Sequence, residues 1–423
     1  MNAITEPSPI APAAAVDPLP PLDQFDSPRA WTMVAAAFVG LFATYGVSYS
    51  FGAFFKPMAA EFGAQRSATS AMFSITVLVW AMLGPVTGHL SDRFGPRIVV
   101  ASGALIMGLG LILTSMIHSL WIGYFTYGIG VGVGVACAYV PMVAVVGGWF
   151  LRRRNTALGI AVAGIGFGTV CGAPIAAALI APFGWRATYI VFAIATTAIL
   201  LGVAYVAERP PVHVIPSRIH FGDAIRTPAF GLLYGSSVLV STALFIPFVY
   251  LPSFAHDRGV SEFLSATLVG IIGGASVAGR MGLGALADRA GVVRLYQASF
   301  LVLALSYSIW MVANSYSTMV VFALVMGAGY GGYVALSPAV IAHLFGTQRM
   351  GTMLGALYTS GGIGAMVGPP IVGLIIDRTG SYRIAIACAL AVALASFAFL
   401  IPLARYEPAN ESPIARGQAA PQP

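Results

Sequence analysis

One side chain in the interior of the apolar stretch Phe263 to Asp288, FLSATLVGIIGGASVAGRMGLGALAD, carries a charge: Arg280. The polar end of the stretch, Asp288-Arg289, comes eight residues later, or about 12 Å at a helical rise of 1.5 Å per residue. In any bilayer this stretch crosses, Arg280 therefore lies at depth, where a cation costs about 2.5–3.5 kcal/mol on insertion scales and faces a partner or a wet cavity. No Asp, Glu or Lys stands at comparable depth in any other apolar segment of the chain. A buried cation without a protein counter-ion calls for an anion from outside. A guanidinium offers two parallel donors that match a carboxylate, which a lysine ammonium does not.

Aromatic side chains with polar tips supply candidates for the rest of such a site. Tyr45 and Tyr49 are four residues apart and share one helix face. Tyr330 and Tyr333 sit in a glycine-rich run that admits close approach of a ligand or a helix, and Phe245 and Phe248 flank Pro247, where a helix can loosen. Ser276 stands four residues before Arg280. No nucleotide loop, metal-ligand cluster or nucleophile–His–acid set is visible, so neither an enzyme nor a cofactor is expected. His89, His118 and His343 fall near segment ends, where solvated or capping roles are expected. Cys137, Cys171 and Cys388 all fall inside apolar segments, which argues against disulfides.

The elements that must hold these residues follow from composition. The chain has 423 residues, of which 58% are hydrophobic and 8% charged, with a mean hydropathy of +0.87. That is too little charge to cover a soluble surface, and it implies a polytopic membrane protein. Twelve apolar segments of spanning length can be marked, at 31–54, 69–90, 97–117, 120–146, 156–180 and 187–206, then 229–252, 264–286, 292–312, 317–345, 351–375 and 382–404. The polar, proline-broken stretch 207–228 separates two six-helix bundles, 29–206 and 229–406. Residues 1–28 and 407–423 read as tails, the first without the basic start of a signal peptide.

Fourteen of the Lys and Arg residues fall in the tails and every second loop, against six in the other loops. This excess places both termini in the cytoplasm. It accounts for the net charge of +7 without any basic face for nucleic acid. The low total charge and the positive-inside pattern suit a bacterial-type inner membrane.

The halves repeat each other. Gly88-His-Leu-Ser-Asp92-Arg93-Phe-Gly95 returns as Gly284-Ala-Leu-Ala-Asp288-Arg289-Ala-Gly291, 196 residues later. The same displacement relates Arg153 to Arg349, Gly159 to Gly355, Gly166 to Gly362, Gly172 to Gly368 and Pro174 to Pro370. Parallel repeats around a central site are the architecture of alternating-access transporters.

The G-x-x-x-D-R-x-G pattern after segments 2 and 8 resembles the signature of the major facilitator superfamily. In that reading Asp92, Arg93, Asp288 and Arg289 form a latch that gates one face of the protein. Trp149-Phe-Leu-Arg152-Arg153-Arg154-Asn-Thr-Ala-Leu-Gly159 resembles the signature of the monocarboxylate porter family, and Asp26-Ser-Pro-Arg-Ala-Trp31 keeps the ends of that family's other signature.

The resemblance implies an all-α fold of twelve helices acting as a monomer, with a small monocarboxylate anion as substrate and a proton as possible co-substrate. It implies that Arg280 binds the carboxylate, that Arg154 takes part in substrate passage, and that Tyr45 and Tyr49 fall on pocket positions. Two departures bear on coupling. Animal members carry an Asp where this chain has Ser276, and a Lys where it has Tyr49. A related oxalate–formate class uses a second cation on helix 11, and Gly351–Ile375 contains none. One positive charge suits a monoanion.

Overall fold

The computed structural model describes residues 24–211, 226–345 and 350–406, and the regular structure among them is all helical. Helix α1, Pro28–Tyr49, starts on Ser27, whose hydroxyl accepts from the amide of Ala30, with Pro28 as its first residue. It breaks at Ser50 and continues as α2, Phe51–Phe62, which ends on Gly63 in the left-handed conformation (φ 56°). Then follow α3, Arg66–Phe94, α4, Pro96–Ser115, and α5, Leu120–Gly123, which runs through a π-helical turn, Tyr124–Ile129, into α6, Gly130–Trp149.

The next run, α7, covers Arg154–Val206 and is broken once, at Gly184, whose φ of 76° and ψ of 166° lie outside the helical region. Only glycine takes that conformation without strain, so one 53-residue run holds two membrane crossings. The second half has α8, Pro228–Leu244, with α9, Ile246–His256, in one crossing, and then α10, Glu262–Ala290, and α11, Val292–Met311. It closes with α12, Tyr316–Phe345, α13, Met350–Thr379, and α14, Tyr382–Leu400, extended by a short 3-10 turn. The crossings number twelve among the described residues, six on each side of 212–225, with boundaries within a few residues of those expected except where α2 extends the first. Pro247 is the second residue of α9, and the break in that crossing falls at Phe245.

The sequence repeat reappears as a repeat of contacts. A Cβ added at Gly172 would strike the carbonyl of Gly46, and one at Gly368 would strike that of Thr242. Between the halves, Gly166 faces the Val277 side chain and Gly362 faces Ala81. Each second contact is the first displaced by 196 residues, with the halves exchanged. Glycine is required at all four positions because the neighbouring helix backbone or side chain occupies the space of a side chain.

Polar groups tie the two halves at the end opposite the termini. The Lys56 ammonium pairs with the Asp257 carboxylate, Arg66 lies 3.6 Å from it, and Tyr382 donates to it at 2.8 Å. Asp377 accepts from the backbone amides of Arg66 and Ser67 at 3.2 and 3.1 Å. The Tyr250 hydroxyl donates to the Arg66 carbonyl at 3.3 Å.

At the end bearing the termini, each polar tie among the described residues stays within one half, as where Gln297 donates to the Leu400 carbonyl at 3.0 Å in the second. Asp26 accepts from the amides of Leu151, Arg152 and Arg153 at 3.3, 3.1 and 3.0 Å. Glu208 pairs with Arg29 and Arg97. Asp92 and Arg93 are exposed at the end of α3, the Arg93 carbonyl accepts from Arg209, and Asp92 forms no ion pair among the described residues. The Asp288 and Arg289 side chains lie outside the described residues.

Candidate functional site

Arg280 is placed by the crossing of α10 with α12. A Cβ at Gly331 would meet the Arg280 amide at 2.9 Å and strike the Ser276 carbonyl, and one at Gly279 would meet the Ala328 carbonyl at 2.5 Å. The two backbones therefore touch, and the Arg280 side chain leaves the crossing toward the first half. Its Nη1 donates to the carbonyl of Val162 on α7 at 3.2 Å.

The other edge of the guanidinium is different. Nε and Nη2 are buried and have no hydrogen-bond partner among the described residues. These two nitrogens share one edge of the planar group, so their N–H bonds run side by side, the geometry that grips both oxygens of one carboxylate. None of the ion pairs among the described residues includes Arg280. A buried charged donor left unpaired costs free energy, and this edge has room in its geometry for one carboxylate or for water.

Aromatic rings wall the guanidinium. The Tyr330 ring centroid lies 5.7 Å from it, and the Tyr330 hydroxyl lies 3.4 Å from that of Tyr49 across the two halves. Tyr49 stacks on Phe248 with centroids 4.5 Å apart. Tyr45 packs on Tyr49 at 5.5 Å, Trp80 at 5.3 Å and Tyr139 at 6.1 Å. Tyr139 in turn lies beside the phenol of Tyr358 of the second half. The Arg280 charge acts on the phenols of Tyr45, Tyr49, Tyr139 and Tyr358, which marks all four as its neighbours. One cation, several hydroxyls and apolar ring faces thus converge at the interface of the halves, an arrangement suited to a small amphiphilic anion.

Of the residues expected at the site, Arg280, Tyr45, Tyr49 and Tyr330 come together. Ser276 does not present its hydroxyl there; it is buried, and its Oγ donates to the Gly273 carbonyl of its own helix at 2.8 Å. Tyr333 turns away into the second half, with Tyr296 at 6.1 Å, Phe300 at 5.5 Å and the hydroxyls of Ser237, Ser241 and Ser360 about its phenol. Arg154 is exposed, its guanidinium over Gly147. It lies eight residues before Val162 on α7, about 12 Å along the axis, so it sits outside the site. Phe248 and Phe245 join the wall, the latter 6.5 Å from Trp80.

Three wall residues, Trp80, Tyr139 and Tyr358, were not among those expected from sequence. The repeat held a signal for two of them. Trp80 is the counterpart of Ser276 at the 196-residue displacement, and Tyr358 is the counterpart of Val162, whose carbonyl holds Arg280. A surface hollow of about 540 Å³ lined by Glu61, His118 and Tyr124 lies toward the clasped end and includes none of the residues around Arg280.

Comparison with known proteins shows the family and the fold. Residues 37–295 and 282–423 match the sequence profile of the Major Facilitator Superfamily. The chain is 28% identical over 403 residues to monocarboxylate transporter 12-B of Danio rerio, covering 86% of this chain and 84% of that one. It is 29% identical over 387 residues to monocarboxylate transporter 13 of Bos taurus, covering 89% of each. Among solved structures, it superimposes with a TM-score of 0.75 and 15% identity on a bacterial homologue of the human lysosomal transporter Spinster in an inward-facing, occupied conformation, covering 90% of this chain and 98% of that one.

Proposed function

Because the chain belongs to the Major Facilitator Superfamily and is related to monocarboxylate transporters, we propose that it moves a small monocarboxylate across the membrane by alternating access, with Arg280 as the carboxylate-binding residue. The observation that carries this reading is the free Nε–Nη2 edge of Arg280, buried and without a partner.

The substrate carboxylate takes both donors of that edge while Nη1 stays on Val162. Its apolar part lies against Tyr330, Tyr49 and Trp80, and a hydroxyl or keto oxygen meets one of the phenols. One guanidinium neutralises one carboxylate, so a dianion would carry a second charge into the bilayer without a partner, at the cost that excludes charges from such depth.

Arg280 belongs to the second half and its Val162 partner to the first, so a substrate bound there touches both. The pseudo-symmetric contacts Gly166–Val277 and Gly362–Ala81 give the halves matched surfaces on which to rock. With both termini cytoplasmic, as the distribution of Lys and Arg supports, the clasped end faces outward and the structure is a form closed on that side. The proton, if one moves with the substrate, binds elsewhere than in the family pattern, since Ser276 and Tyr49 do not ionise as an Asp or a Lys would.

The test is uptake of a panel of labelled monocarboxylates into proteoliposomes holding the purified chain, with and without an inward acid gradient. Saturable uptake of a monocarboxylate, competed by other monocarboxylates and not by dicarboxylates, is expected. Uptake indifferent to all carboxylates would overturn the reading.

A further inference from the structure

The clasp at the end opposite the termini contains a group that the transport reading leaves unused. His256 closes α9, and its Nδ1 lies 3.0 Å from the Lys56 ammonium of α2, across the two halves. An ammonium has only protons to offer, so Nδ1 must present its lone pair, and the imidazole is neutral with its proton on Nε2. That second nitrogen faces Glu262 at 3.7 Å, on the same half as His256.

The remaining charged and titratable groups around the pair are Asp257, bound to Lys56, Arg66 and Tyr382, which hold Asp257 from α3 and α14, and Arg258, which lies over Phe254 with its charge acting on Asp257 and Tyr382. The His256 side chain is 41% exposed and Glu262 62%, so protons reach the imidazole from the adjoining solvent.

We infer that His256 is the proton-binding site that releases the clasp between the halves. A proton taken from solvent onto Nδ1 destroys the acceptor that Lys56 uses and sets an imidazolium against an ammonium at hydrogen-bond distance. The new cation is drawn instead to Glu262. The proton therefore shifts His256 from a partner in the opposite half to a partner in its own half, and the clasp is left with its Asp257 and Asp377 contacts. Histidine is the side chain that changes charge over the physiological range, so acid on this face favours opening toward the same acid. This places a proton-dependent step at the gate, in a chain whose Ser276 and Tyr49 lack the ionisable groups of the family pattern. The inference rests on the transport reading only for its role in coupling; the pH response of the clasp itself does not depend on it.

The experiment uses the full chain with Cys137, Cys171 and Cys388 replaced by serine and spin labels at Ala60→Cys and Arg383→Cys, exposed positions on opposite halves near the clasp. Distances between labels are measured without substrate between about pH 5.5 and 8, the range over which histidine changes charge. Acid is expected to shift the distribution toward longer distances. His256→Asn, which keeps a neutral acceptor on the Nδ1 side and cannot be protonated there, is expected to abolish the shift and hold the short distance at every pH. His256→Gln, whose amide reaches toward the Nε2 side, is expected to give the long distance at every pH.

In uptake, H256N should lose stimulation by external acid while retaining substrate exchange without a gradient. An unchanged shift in H256N would assign the proton to Asp257 or Glu262 and overturn the inference, as would a wild-type distance that does not move with pH. Arg280→Gln separates the two readings. It should lower uptake about a hundredfold, the loss of about 3 kcal/mol, and leave the pH-driven distance change intact, whereas uptake near the wild-type rate in R280Q would sink the transport reading alone.

Discussion

Replacing Arg280 tests the site most sharply, because the structure separates what its two edges do. Arg280→Gln removes the charge and both donors of the Nε–Nη2 edge, whereas Arg280→Lys keeps a charge but not the parallel pair. Hydrogen bonds to charged groups contribute about 1.5–3 kcal/mol each. Water and the remaining hydroxyls recover part of the two that are lost, leaving a net deficit of about 3 kcal/mol for R280Q. At 1.4 kcal/mol per decade this is about a hundredfold fall in uptake kcat/KM. R280K should fall by roughly tenfold, since one donor and the Coulomb term survive.

The same change also removes the Nη1 bond to Val162, a charged-group contact worth about 1.5–3 kcal/mol of stability. The assay therefore pairs initial uptake rates in proteoliposomes with thermal unfolding of the detergent-purified variants. Equal loss in R280K and R280Q with a large drop in Tm would mean that the residue holds the α7–α10 contact and binds nothing. Uptake by R280Q within a factor of about two of wild type, well inside the decade expected from one lost charged contact, would refute the carboxylate site outright.

Three further outcomes follow from particular contacts. Tyr49→Phe removes the hydroxyl that faces Tyr330 and keeps the stack on Phe248; its uptake KM should rise by less than tenfold, the cost of about one neutral hydrogen bond, and by less than for Tyr49→Ala, as substrate-dependence curves would report. Gly362→Leu inserts a side chain where a Cβ alone would already lie 2.8 Å from Ala81, so the halves should be held apart there, destabilised by about 1–3 kcal/mol, with a lowered Tm and impaired substrate exchange. Glu61 has its carboxyl held below the ordinary carboxylate range, first by the hydrogen bond from Arg186 and also by that from Trp185, against the opposing effect of burial. Its folded pKa is depressed, so its contribution to stability is full above the ordinary value of about 4.3 and is lost as pH falls through the lowered value. Tm curves of wild type and Glu61→Gln should differ at neutral pH and converge under acid.

The sequence by itself determined the helices, the repeat and the central cation. Spanning length and hydropathy are local properties, and the bilayer leaves a chain of this composition no other way to satisfy its backbone. The break at Gly184 separates the crossings expected at 156–180 and 187–206, although the helix assignment runs through it. The repeat was legible because glycines are fixed by close backbone approach, and the two halves make the same approaches at Gly172 and Gly368. The isolation of Arg280 could be read because formal charges at depth are so few that the absence of a partner is countable.

The rotation of each helix about its own axis could not be read. Tyr330 and Tyr333 stand three residues apart in one glycine-rich run, yet one faces Arg280 and the other an internal serine cluster. In lipid every face of a helix is apolar, so the amphipathic stripe that orients a helix in water gives no bearing here. Only packing decided that Trp80, Tyr139 and Tyr358 join the wall. The clasp was hidden for a related reason. Lys56, Arg66 and Arg258 register in a sequence as loop charges that set topology, and 201 residues of chain separate Lys56 from Asp257. Bringing them together took the docking of one half on the other, which no local pattern encodes.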